Sequence, residues 1–207
     1  MKKPNLPQRS KRKNLTSASK SNIDAKLTET SIILEYAFER HVNLKERVIL
    51  ISGDIDKTTF ELVDSAMTQL ESMNRSSITI KINSPGGEVY NALAIVGRLK
   101  KSKCRIITEG YGHVMSASTL ILACGNLRLM SKYSFFMHHE TSYELEGRHS
   151  QIKSEVAQTE KEEKLWCKWM EEFSKKDQKW WKKSGIGTNA YFTAEDLLKF
   201  GVIDEIF

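Results

Sequence analysis

Ser116 stands between a β-branched, apolar run at 104–110 (CRIITEG) and an Ala/Leu-rich stretch that follows it. The first reads as a buried strand and the second as a buried helix. A serine at such a junction lies beside unpaired helical N–H groups and the positive end of the helix dipole. Both favour a nucleophile and a developing oxyanion. A serine there can equally do no more than cap the helix. Acyl transfer to serine also needs a base for its proton and donors for the oxyanion. The histidines are His41, His113, His138, His139 and His149, and only His138 and His139 close an apolar strand, SFFM at 134–137. Gly86-Gly87, directly after Pro85, offers backbone that a substrate can approach closely. These residue types suit a hydrolase site. They are also compatible with a loop serine, a solvated histidine pair and an ordinary turn.

The elements that would position them can be read from periodicity. RVILISG at 47–53 ends a strand at a glycine, and 59–73 carries Phe60, Val63, Met67, Leu70 and Met73 at helical spacing. SITIKI at 77–82 alternates strictly, a second strand feeding Asn83-Ser84-Pro85-Gly86-Gly87 and then a helix over 89–100. Further strands are expected at 127–130 and 134–137. From 150 to 183 the spacing predicts one long charged helix with a narrow stripe: Ile152, Val156, Thr159, Glu163, Trp166, Met170 and Phe173. At about 30 residues it would reach about 45 Å, beyond a small domain's own core, so part of it should pack on another subunit. A Gly-rich turn at 184–189, a strand at Tyr191-Phe192, a helix over 194–200 and a last strand at 202–204 close the chain. Repeated strand–helix units indicate a parallel α/β core.

The chain has 207 residues, enough for a single sizeable core, and a formal net charge of +6. Residues 1–20 hold seven basic residues (Lys2, Lys3, Arg9, Lys11, Arg12, Lys13, Lys20) and no acid, which leaves −1 on residues 21–207. The basic character therefore belongs to a disordered arm, taken as residues 1–30, ahead of a domain over 31–207. Nothing in the near-neutral body points to nucleic acid. Residues 31–40 are more apolar and are expected to dock on the body or on a neighbour. Cys104, Cys124 and Cys167 lack metal-type spacing and read as buried free thiols of a reducing compartment, with no metal or cofactor implied. No apolar run is long enough for a membrane span, and no apolar core follows the basic start as in a secretory signal.

LKERVI (44–49), INSPGG (82–87), G-x-x-x-S at Gly112–Ser116 and YFTAEDLLKFGVID (191–204) recur in the order found in the proteolytic subunit of the Clp protease. From about residue 38 onwards the chain resembles that family. The resemblance implies a ClpP/crotonase-like β-β-α spiral fold with a long protruding handle helix. It also implies a serine endopeptidase that cleaves unfolded polypeptides inside a heptameric ring, single or stacked, in the cytoplasm, with a Clp-type ATPase unfoldase as candidate partner. Position by position, Ser116 resembles the nucleophile, Gly87 and Ala117 the oxyanion-hole donors, and His139 rather than His138 the base. Asn189 stands where the family has its triad Asp. Gly187-Thr188 replaces an acidic–basic pair that links two rings, and Thr79, Lys81 and Lys101 replace the aromatic lining of the ATPase-docking pocket. These departures leave a silent structural subunit of a Clp-type ring as the first alternative. A crotonase-like acyl-CoA enzyme is the second.

Overall fold

The computed structural model describes residues 41–207. The expectations for the basic arm and for the docking segment at 31–40 lie outside them. Strands β1 (Val42–Asn43), β2 (Val48–Ser52), β3 (Ile78–Ser84), β4 (Ile106–Met115), β5 (Leu127–Met130), β6 (Phe135–His138), β7 (Ala190–Thr193) and β8 (Glu205–Ile206) form one sheet. Helices α1 (Lys57–Met73), α2 (Val89–Lys101), α3 (Ser118–Ala123), α4 (His149–Glu172), α5 (Gln178–Gly185) and α6 (Ala194–Phe200) accompany it.

The core strands β2, β3, β4 and β5 are parallel, as the β-branched runs and intervening helices require. Along β3 the side chains alternate: Ile78, Ile80 and Ile82 are fully buried, whereas Thr79 and Lys81 lie half-exposed on the other face. α1 buries Val63, Ala66, Met67 and Leu70 against this sheet, and its start is closed by a reciprocal Asp56–Thr59 capping box.

β4 runs five residues further than the apolar pattern suggested. Its first half pairs with β3 and β5, and its second half, His113–Met115, pairs with β6. Between the halves the register slips, for Ile82 faces Gly110 but Ser84 faces Val114. This irregularity re-aims the end of β4 toward β6. β6 in turn pairs antiparallel with β7, with His138 opposite Ala190.

The single long helix expected over 150–183 is two helices. α4 ends at Glu172, and Asp177 caps α5 by accepting the Trp180 amide at 2.7 Å. The chain turns between them because the Lys175 amide donates to the Phe200 carbonyl and the Ser174 hydroxyl to that of Met170. Folding back buries Trp181 completely, beside Phe136, Phe192 and Trp180. Burying an indole outweighs the helical hydrogen bonds lost at the turn. α4 alone has 24 residues, about 36 Å at the helical rise. Only Cys167 and Met170 in it are buried. The last strand also shifts: Val202 and Ile203 are core residues of a turn, and pairing begins at Glu205. All three cysteines are buried and free, as expected.

Candidate active site

Ser116 follows β4 directly. Its amide continues the ladder by donating to the Met137 carbonyl at 2.8 Å, and its φ is +51°, a conformation costly for a residue with a Cβ. The strain turns the side chain away from the new helix. No side chain caps the new helix, and the Thr119 hydroxyl and amide both donate to the Ser116 carbonyl, at 2.6 and 3.0 Å. The Ser118 hydroxyl lies within hydrogen-bond distance of the Met115 and Ser84 carbonyls. The Ser116 hydroxyl is thereby left free of the helix, and its Oγ lies 2.7 Å from His139 Nε2.

The two histidines at the end of β6 have opposite environments because the strand alternates. His138 is buried, with Nε2 3.0 Å from the Trp181 carbonyl, and burial pushes its imidazole down to about 4. His139 points to Ser116 and is only half-buried. The other histidines stand elsewhere: His41 and His149 are exposed, and the His113 amide rests on Asn83 Oδ1.

The glycine turn packs against the serine. Gly86 has φ +107°, and a Cβ there would lie 2.6 Å from Ser116 Cβ and 2.9 Å from the Ala117 amide nitrogen. Gly87, at φ +143°, forms a parallel bridge with Ile55, where a side chain would strike the Ile55 carbonyl. The bridge is closed by the Ile55 amide donating to Gly86 O and the Glu88 amide to Ile55 O. Among the described residues neither the Gly87 nor the Ala117 amide donates to a protein acceptor. Both line, with Ser116 and His139, one cavity of about 390 Å³. Val89, Met137, Trp166 and Ile186 give it apolar walls. The arrangement can bring a serine Oγ, a proton acceptor and two free N–H groups to one carbonyl carbon.

Asn189 is exposed. The β6–β7 register, carried one step past His138 and Ala190, puts it opposite His139, and the two border a common cleft. No hydrogen bond joins them among the described residues. Asp177, an acidic residue close by in the chain, is occupied in capping α5. Two supports of the site had no sequence signal. The Thr141 amide donates to Glu163 Oε1 at 2.9 Å, and the Gly187 amide to Glu140 Oε1 at 3.0 Å. Both join residues distant in the chain. Glu163 interrupts the stripe of α4 and Glu140 lies in the loop after β6, and a carboxylate at either position reads in sequence as a solvated charge. Among the described residues no cluster of His, Cys, Asp and Glu could hold a metal, and no helix is long and apolar enough to cross a membrane.

The Clp protease family model matches residues 36–207, and the chain belongs to that family. It is a ClpP-like peptidase with the mixed α/β fold of the family.

Proposed function

We propose that the protein is a serine endopeptidase, with Ser116 as nucleophile, His139 as base, Asn189 as orienter of His139, and the Gly87 and Ala117 amides as oxyanion donors. The observation that carries this reading is the 2.7 Å approach of Ser116 Oγ to His139 Nε2, made by a serine held at positive φ. In the reaction Oγ attacks the scissile carbonyl as its proton passes to Nε2, and the carbonyl oxygen, now negative, is held by the two amides. Collapse expels the amine, which takes the proton from His139. Water, deprotonated by the same nitrogen, then releases the acyl group. Nδ1 keeps its proton throughout and needs an acceptor, which the Asn189 side-chain oxygen can supply.

The substrates in this reading are unfolded polypeptides, cleaved in the chamber of a homo-oligomeric ring in the cytoplasm, with or without a Clp-type ATPase. Lys81 lies over the Tyr111 ring and Lys101 is exposed. Any ATPase docking there meets lysines beside the Tyr111–Phe207 ring pair, where the resemblance leads one to expect aromatic residues at 79, 81 and 101.

A fluorophosphonate should label one residue of the wild type, Ser116, and Ser116→Ala should lose both the label and peptide cleavage. Mass-mapping of the adduct checks this. Label on Ser118, or label persisting in the variant, would refute the assignment. An unlabelled wild type would favour a silent ring subunit, a reading that the missing bond between Asn189 and His139 keeps in view.

A further inference from the structure

His138 has no part in the mechanism above, yet it is a polar side chain only 5% exposed, one residue from the proposed base. A carbonyl can only accept, so the 3.0 Å contact with Trp181 O fixes the proton on His138 Nε2. The ring stands edge-on to the Trp181 indole, centroids 5.3 Å apart. Trp181 is itself immobilised, with its indole N–H on Ser174 Oγ at 3.0 Å. The next residue but one in β6's continuation is tied to the same helix, since the Glu140 amide donates to the Gly185 carbonyl at 3.2 Å. Gly185 is closely packed here, for a Cβ would lie 2.9 Å from His138 Nε2 and 3.1 Å from the Glu140 nitrogen. His138 and Glu140 thus clasp the end of α5 on one side, while His139 between them faces Ser116. That end of α5 supplies Lys182, Gly185 and Ile186 to the cavity beside Ser116.

An apolar side chain would fill the His138 space without the desolvation that a buried imidazole carries. What the imidazole adds is one directed bond, which fixes where two elements meet.

We infer that His138 is a positioning residue for the peptidase reaction. Through Trp181 O it sets the distance between the α5 wall of the substrate cavity and the strand that bears His139. This rests on the reading of Ser116 and His139 as the catalytic pair. The clasp acts on the fit of the substrate side chain, while the Ser116–His139 contact is made on the opposite side.

Three variants of the full chain test it. His138→Leu removes the donor, and Trp181 O keeps the Ser184 hydroxyl at 2.8 Å, so no buried carbonyl is orphaned. Gly185→Ala wedges the same contact from the α5 side with His138 in place. His138→Gln keeps an N–H of similar reach. On a short fluorogenic peptide, His138→Leu and Gly185→Ala should raise KM about five-fold or more. The rate of labelling by diisopropyl fluorophosphate, too small to need the cavity wall, should change less than about two-fold. His138→Gln should return KM toward the wild-type value. Amide exchange over 182–189 should quicken in the Leu and Ala variants and not in Gln. That readout does not depend on activity: if it holds in a protein that takes no label, the peptidase reading fails and the clasp stands. Should His138→Leu fail to fold, Gly185→Ala decides alone. Wild-type KM and exchange in Gly185→Ala, or a His138→Gln variant as impaired as His138→Leu, would overturn the inference.

Discussion

At Asn189 the side chain opposite His139 is neutral, and a neutral amide can orient an imidazole but offers its positive charge little stabilisation. Asn189→Asp places a carboxylate at the same register position across from His139. A negative neighbour favours the protonated imidazole, so the acidic limb of the kcat–pH profile should move to higher pH. On the alkaline side of that limb kcat should rise about ten-fold or more, because the imidazolium formed in the transition state is stabilised. A pH–rate series on a short fluorogenic peptide, wild type against variant, measures both. Identical profiles would reduce Asn189 to a turn residue.

The seam between β6 and α5 should be visible in stability as well as in KM. His138 is pushed from an ordinary 6.5 down to about 4, chiefly by burial, against the opposing pull of the Trp181 carbonyl. Unfolding therefore takes up a proton between those two values. Stability rises with pH across the window from about 4 to 6.5, and below about 4 the loss is complete. The difference amounts to about 3 kcal/mol at most. Urea midpoints at pH 4, 5 and 7 should fall steeply toward acid in the wild type and less so in His138→Leu. Equal slopes in the two proteins would mean that other groups carry the acid sensitivity. The same seam explains why α4 and α5 are separate: only a chain that folds back can lay Trp181 against His138.

For the whole molecule, α4 is long and mostly uncovered, with Val156 and Leu165 exposed at 36% and 45%. Nine residues apart, these two lie on opposite faces of the helix, and exposed apolar side chains on both are the kind that neighbouring subunits cover. A homo-oligomer of about seven subunits is expected by light scattering at micromolar concentration, by closure of one repeated contact. The exposed Gly187 and Thr188 stand where the resemblance puts an inter-ring pair, so a single ring should dominate over a double one. Replacing both Val156 and Leu165 by Glu should lower the mass toward the monomer. A wild type that is monomeric at that concentration would rule the ring out.

Local composition determined much of this protein. The strict alternation of 77–82 and the β-branched run of 104–110 became β3 and β4, and the spacing of Val63, Met67 and Leu70 became the buried face of α1. Strand parity separated His138 from His139 once both lay at the end of β6, because neighbouring side chains must point to opposite faces. The ordered motifs that resemble the Clp protease family singled out Ser116, Gly87, Ala117 and Asn189 for the proposed site. Tertiary structure alone decided the rest. The break at 173–177 contains neither Pro nor Gly. It follows from an indole finding a hydrophobic pocket made by Phe136 and Phe192, residues far away in the chain. The extension of β4 to Met115 depends on β6 arriving to pair with it. The +51° of Ser116, the free Gly87 and Ala117 amides and the bond from His138 to Trp181 are likewise long-range outcomes. Propensity and periodicity act over a few residues, whereas these contacts exist only after distant segments have closed on one another.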